Sequence, residues 1–233
     1  CPLGCVFCHN ISISHGGFGR TISVGRLREI FQELIAQGAH NINLVSPTQF
    51  TLPIREALEE PPQVPVVWNT GGYERVETLR LLEGRVQIYL PDLKYADSAL
   101  AQRCSGAADY FPVAAAAIRE MVRQVGPCVF DDQGLLRRGV VIRHLLLPGA
   151  IENTRAVMDY VARTFSPGEV LFSLMAQYTP QAGAEGLLAR RITGAELRAA
   201  KAYMENVGIT YGYTQELDAA QSSYTPTFDL RGV

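Results

Sequence analysis

One feature constrains this chain more than any other: short apolar runs alternate with segments of helical period along its length. Leu27, Ile30, Phe31, Leu34 and Ile35 recur at i, i+3, i+4, i+7 and i+8, behind Ser23 as N-cap and ahead of Gly38 as stop. The same reading predicts helices over 52–60, broken by Pro61 and Pro62, and over 73–83, 98–103, 112–125 and 154–164. A last helix opens on a Thr193/Glu196 capping box and runs to Val207. Between them lie apolar runs predicted as strands: 41–46, 64–70, 85–90, 139–147, 170–176 and 209–215. Strands alternating with helices imply βαβ units, hence an α/β fold with a mostly parallel sheet and right-handed crossovers. Runs apolar along their whole length suit a sheet covered on both faces. Residues 219–233 are turn-rich and aperiodic, and are expected to form a tail packed on a domain spanning 1–218.

Polar residues collect just after the predicted strands: Ser46 and Thr48, Asn69 and Thr70, Asp92 and Lys94, Gln177 and Tyr178, Gln215 and Glu216. In a parallel α/β sheet the carboxyl ends of the strands share one face, and ligands bind there. The pattern marks a site without naming a reaction. The chain has 233 residues, 47% hydrophobic, with a net charge of -2 and no block of Lys or Arg, so nucleic acid is not an expected partner. Its apolar runs are far too short to span a bilayer.

Of five cysteines, three stand at positions 1, 5 and 8, and Cys104 and Cys128 read as small buried hydrophobes. An odd, clustered count is unlike a disulfide framework and favours a reducing, cytoplasmic setting with the cluster used for metal. Three thiolates can hold three irons of a [4Fe–4S] cubane and leave the fourth open to a ligand. Zinc is the competing reading, but it needs a fourth ligand, and His9 directly follows Cys8, an awkward position for a tetrahedral site. A lipidated or nucleophilic Cys1 would leave Cys5 and Cys8 unexplained.

The C-x3-C-x2-C run with Phe7 before its third cysteine resembles the signature of radical S-adenosylmethionine (radical SAM) enzymes. Cys8-His9-Asn10 is similar to pyruvate formate-lyase activating enzymes. The blocks NINLVSPT at 41–48, WNTGGYE at 68–74, YLPDLKY at 89–95, RGVVIRHLLLPG at 138–149 and SLMAQY at 173–178 resemble one activating-enzyme-like branch of that family. The likeness runs from residue 1 to about 229. It implies a partial (β/α) barrel with a cluster loop at 1–10. In the family a strand leads into the first cysteine, so that first strand is expected to lie outside this sequence, leaving an open sheet edge. It also implies Cys1, Cys5 and Cys8 as ligands of a [4Fe–4S] cluster, and S-adenosyl-L-methionine chelating the fourth iron. Phe7 would lie near the adenine. Ser46 and Thr48 stand where relatives carry a Gly-Gly-Glu-like stretch that receives the methionine amine. Asn69, Asp92 and Lys94 occupy the positions that contact ribose and carboxylate. Arg143 would lie on the adenine side, with Gln177 a further cofactor contact and His15, Tyr178 and Gln215 near the substrate.

The residue types suit the cofactor. Its ammonium needs acceptors, its carboxylate a cation, and its ribose diol amide or carboxylate partners. The alternative for Asp92 and Lys94 is a pair of solvated charges, and for Arg143, inside an apolar strand, half of a structural ion pair. The implied activity is reductive cleavage of S-adenosyl-L-methionine to a 5′-deoxyadenosyl radical that abstracts hydrogen, fed by a flavodoxin- or ferredoxin-like reductant. A glycyl-radical enzyme as protein substrate, a small-molecule substrate, and a non-catalytic metal-binding module all remain open.

Overall fold

The computed structural model describes residues 1–181, 183–219, 229, 230 and 232, so most of the expected tail lies outside the described residues. In chain order the elements are α1 Ile11–Ser14, α2 Val24–Ala36, β1 Ile42–Val45, α3 Thr51–Ala57, β2 Val66–Thr70, α4 Val76–Arg80, β3 Ile88–Pro91, α5 Ser98–Ser105 and α6 Tyr110–Val125. They continue with β4 Val129–Phe130, β5 Leu136–Leu145, α7 Ile151–Thr164, β6 Leu171–Met175, α8 Gly194–Asn206 and β7 Gly212–Thr214. The sheet order is β1-β2-β3-β5-β6-β7, every pair on that path is parallel, and β4 pairs antiparallel with β5. The order follows the sequence, as in a (β/α) barrel, and β1 and β7 end the sheet path among the described residues. The barrel is therefore partial.

Each expected strand has a counterpart. The hairpin strand β4 is not among the expected strands, because two residues carry no period; its turn is held by Asp131 Oδ1, which accepts from the Gln133 and Leu135 amides. The helix expected over 73–83 is confined to Val76–Arg80, because 71–75 is drawn into a turn at the end of β2. The cysteine segment leads into the short α1. Ser23 caps α2 through its bond from the Arg26 amide, and the Thr193/Glu196 capping box closes in both directions.

The buried core is one cluster running from Leu3 to Ile209. Trp68, Tyr89 and Phe172 fill the sheet side, and α6 covers β3 and β5 with Ala114, Ile118 and Met121. The expectation of burial along every strand fails at both ends of the sheet path: β7 is exposed throughout, and in β1 Asn43 and Val45 are exposed.

Candidate functional site

The three cysteines lie on a loop fixed by backbone bonds. Gly4 and Val6 donate to the carbonyls of Ser105 and Cys104 at the end of α5 (3.2 and 2.9 Å), and Cys8 donates to Cys5 (3.1 Å). Leu3, Cys5 and Phe7 point into the core, while Cys1 and Cys8 are half-buried. The loop thereby lies over the strand ends. A Cβ at Gly71, just past β2, would stand 3.1 Å from Leu3, and Phe7 packs edge-on against Tyr178, past β6 (5.9 Å between centroids). Ser105 donates to Cys5 Sγ at 2.9 Å. Burial pushes the Cys5 thiol up, while the Lys94 charge and this hydrogen bond pull it down.

Beside the loop is a charged network from three strands. Asp92, after β3, takes the Lys94 ammonium on Oδ2. Arg143 Nη2, on β5, lies 2.8 Å from both Asp92 Oδ1 and Asn69 Oδ1; its hydrogen is aligned to Asn69, so the Asp92 contact is ionic. Burial alone would raise the Asp92 carboxyl, but Arg143 and Lys94 outweigh it and hold it below the ordinary range. Arg143 Nε is buried without an acceptor. Tyr110, from α6, braces this corner: its hydroxyl lies 2.9 Å from the Gly71 carbonyl and 2.7 Å from that of Asp92, and accepts from the Lys94 amide. Gly72 (φ +80°) brings the two turns together, since any Cβ there would fall 2.0 Å from the Asp92 carbonyl oxygen.

A second polar centre sits at the ends of β1 and β2. Ser46 holds a left-handed backbone (φ +52°), and its amide donates to the Asn69 carbonyl at 2.8 Å. Glu74, only 2% exposed, accepts from Thr48 (2.7 Å), Thr70 (2.6 Å) and the Trp68 indole (3.1 Å), all on Oε1; its Oε2 is buried without a partner. A buried carboxylate oxygen with no donor is costly and calls for a cation or donor to meet it.

Asn69, Asp92, Lys94 and Arg143 thus converge next to Cys5, and Thr48 faces Glu74. Gln177 does not join them: it is exposed past β6 and accepts from Gln215, whose own Oε1 takes the Ala176 amide. Phe7 and Tyr178 are buried, with the Tyr178 hydroxyl on the Leu188 carbonyl. His15 is exposed and bonds Ser14, which also lies 3.6 Å from Cys8 Sγ. Cys104 is buried as expected, but Cys128 only partly. Sequence reading assigned no role to Glu74, Ser105, Tyr95 or Tyr110; only Glu74 carried a signal, an acid two residues after a Gly-Gly turn. A cavity of about 580 Å3 opens beside the cysteine loop, between Val6, Arg103 and the Leu147–Ala150 turn.

The cysteine loop fits a cluster by its donor set. Among the described residues no three His, Cys, Asp or Glu side chains are grouped to hold one metal ion. Three soft sulfurs on one loop held by backbone bonds, one of them accepting a hydrogen bond, are a donor set that a cluster would take.

No protein-family model matches the chain. An uncharacterised protein of Methanocaldococcus jannaschii is 28% identical over 225 residues, covering 91% of this chain; the chain spans 62% of that relative's length. Among solved structures, Streptococcus suis SuiB bound to the precursor peptide SuiA superposes with a TM-score of 0.63 at 15% identity, over 94% of this chain and 48% of SuiB. A radical SAM methyltransferase from Sphaerobacter thermophilus gives 0.59 at 17% identity, over 93% of this chain and 64% of that one. A domain of a pyruvate-formate lyase-activating enzyme from Bacteroides vulgatus gives 0.55 at 14% identity, over 76% of this chain and 98% of that domain. The fold is that of the radical SAM enzymes. At these identities the likeness establishes the fold, and the activity has to be argued from the site.

Proposed function

We propose that this chain is a radical SAM enzyme, with a [4Fe–4S] cluster on Cys1, Cys5 and Cys8 and S-adenosyl-L-methionine at the open iron. The observation that carries the reading is the cysteine loop fixed over the strand ends directly beside the Asn69, Asp92, Lys94 and Arg143 network. When bound, the reduced cluster and cofactor supply the 5′-deoxyadenosyl radical that abstracts hydrogen from a substrate.

The chain's own residues provide binding and orientation. Thr48 commits its hydroxyl proton to Glu74, so its own oxygen is left to act as an acceptor. That makes it an acceptor suited to the methionine ammonium. Lys94 donates on the other side, to the carboxylate or the ribose. Asp92 holds Lys94 and Arg143 in place and Asn69 fixes the guanidinium plane. The cavity beside Val6 and the Leu147–Ala150 turn has the size of a small-ligand site. The substrate we assign is a glycine of a partner protein, with an external flavodoxin- or ferredoxin-like reductant. A solved neighbour holding a peptide and another from an activating enzyme support a polypeptide substrate over a small molecule.

The test is anaerobic reconstitution with iron and sulfide, then dithionite and S-adenosyl-L-methionine. [4Fe–4S] absorbance and 5′-deoxyadenosine should appear, and Cys5→Ala should abolish both. Their absence in the unsubstituted protein sinks the reading. Glycyl-radical formation on an added partner protein separates an activase from an enzyme of small molecules.

A further inference from the structure

Cys5 differs from the other two cysteines in what stands behind its sulfur. Its neighbours Gly4 and Val6 are pinned to the last two carbonyls of α5, so the residue cannot shift without breaking those bonds. The Ser105 hydroxyl lies 2.9 Å from Cys5 Sγ, and the Tyr95 hydroxyl lies 2.7 Å from Ser105 Oγ. Ser105 and Tyr95 are buried, at 3% and 0% exposure, and Cys5 is buried with them. Tyr95 is fixed in turn by an edge-on contact with Tyr110 (5.2 Å, 76°). Cys8 meets its hydroxyl neighbour at 3.6 Å on an open part of the loop, and that hydroxyl is shared with His15.

The proton order along the chain follows from chemistry. A thiolate bound to iron can only accept. The Ser105 proton must then go to Cys5 Sγ, and the Ser105 oxygen must accept from Tyr95. Tyr95 thus orients Ser105, and Ser105 aims a buried donor at one ligating sulfur. Reduction adds negative charge to a cluster and its sulfurs, so such a donor favours the reduced form and raises the potential.

We propose that Ser105, oriented by Tyr95, is a positioning residue that sets the reduction potential of the cluster through Cys5. The proposal rests on the cluster assignment above and adds which side chain tunes it. Ser105→Ala removes the donor; Tyr95→Phe leaves the donor but frees it to rotate; Ser105→Thr keeps the hydroxyl.

The experiment is a dithionite and mediator titration of the reconstituted full chain, followed by the electron paramagnetic resonance of the reduced cluster. Iron, sulfide and melting temperature are measured on the same samples. In Ser105→Ala the reduced-to-oxidised ratio at the parent's midpoint should fall about threefold, which 59 mV per tenfold for one electron converts to about 30 mV more negative. Tyr95→Phe should shift it the same way by less, and Ser105→Thr should restore the parent value. Ser105→Ala and Tyr95→Phe proteins with full iron content that titrate at the parent midpoint overturn the proposal. So does loss of the cluster in both, which makes Ser105 a structural prop. A parent protein that assembles no [4Fe–4S] cluster overturns the functional assignment and this one together.

Discussion

His144 makes the fold pH-dependent in a way that can be worked out from its neighbours. It lies fully buried on β5, between the turn that carries the site and helix α7. Its Nδ1 is 2.7 Å from the Leu93 carbonyl, which only accepts, so Nδ1 carries the proton and Nε2 accepts from Thr154 at 2.9 Å. Burial lowers its pKa from 6.5 to about 4; the Leu93 bond opposes this, Lys94 adds to it and Asp92 opposes it. A base whose pKa is lower in the folded state destabilises the fold as it is asked to charge. The contribution is complete above pH 6.5 and is lost as pH falls from there towards 4. The full difference, at 1.36 kcal/mol per pKa unit, is about 3 kcal/mol, of which roughly 2.5 kcal/mol is lost by pH 4.5. Urea unfolding of the cluster-free protein, followed by the fluorescence of its single tryptophan, Trp68, reads this directly. Comparison with His144→Gln isolates the histidine from the carboxylates, which titrate in both proteins. The parent should lose about 2.5 kcal/mol more than the variant between pH 7.5 and 4.5. Parallel losses, within about 0.5 kcal/mol, would show that His144 is not held neutral.

Four further substitutions probe the corner that His144 supports. Asp92→Asn leaves Lys94 and Arg143 side by side without their shared anion, and should cost roughly 3 kcal/mol, read as a fall in denaturant midpoint that is smaller when Lys94→Met is added. Gly72→Ala puts a Cβ 2.0 Å from a fixed carbonyl oxygen at a positive φ and should cost more than about 3 kcal/mol, whereas Gly71→Ala meets only the movable end of Leu3 at 3.1 Å and should stay within about 2 kcal/mol.

The periods of the chain carried most of the fold, because strand and helix spacings reflect a buried sheet and its covering helices. Residues 66–70 and 88–91 were legible as strands since both faces are covered; β4 was not, since a two-residue strand leaves no period. The site was legible where a residue type is unusual for its place. Arg143 in an apolar strand demanded an anion, and Asp92 provides it. Ser105 and Tyr95 could not be found that way. Each is ordinary in its own segment, and the contact that gives Ser105 a role closes over a separation of 100 residues. Gln177 illustrates the reverse: its place after a strand looked informative, yet its side chain turns towards Gln215 and the sheet edge.

The buried charges at the strand ends also constrain what the site can hold. Glu74 leaves Oε2 without a donor, and Arg143 leaves Nε without an acceptor. The Arg143 deficit is not particular to the site, since Arg85 and Arg155 also leave Nε buried without an acceptor, whereas Glu74 Oε2 lacks both a hydrogen bond and an ion pair among the described residues. The anion lies behind Thr48 at the ends of β1 and β2, and the cations lie on β3 and β5, across Asn69. Arg143 and Lys94 already share the Asp92 carboxylate, so the group left without a complement is Glu74 Oε2. A donor such as an ammonium group would supply it, which is why the proposed reading sets the methionine amine of S-adenosyl-L-methionine at the Thr48 end of the site and not at the Arg143 end.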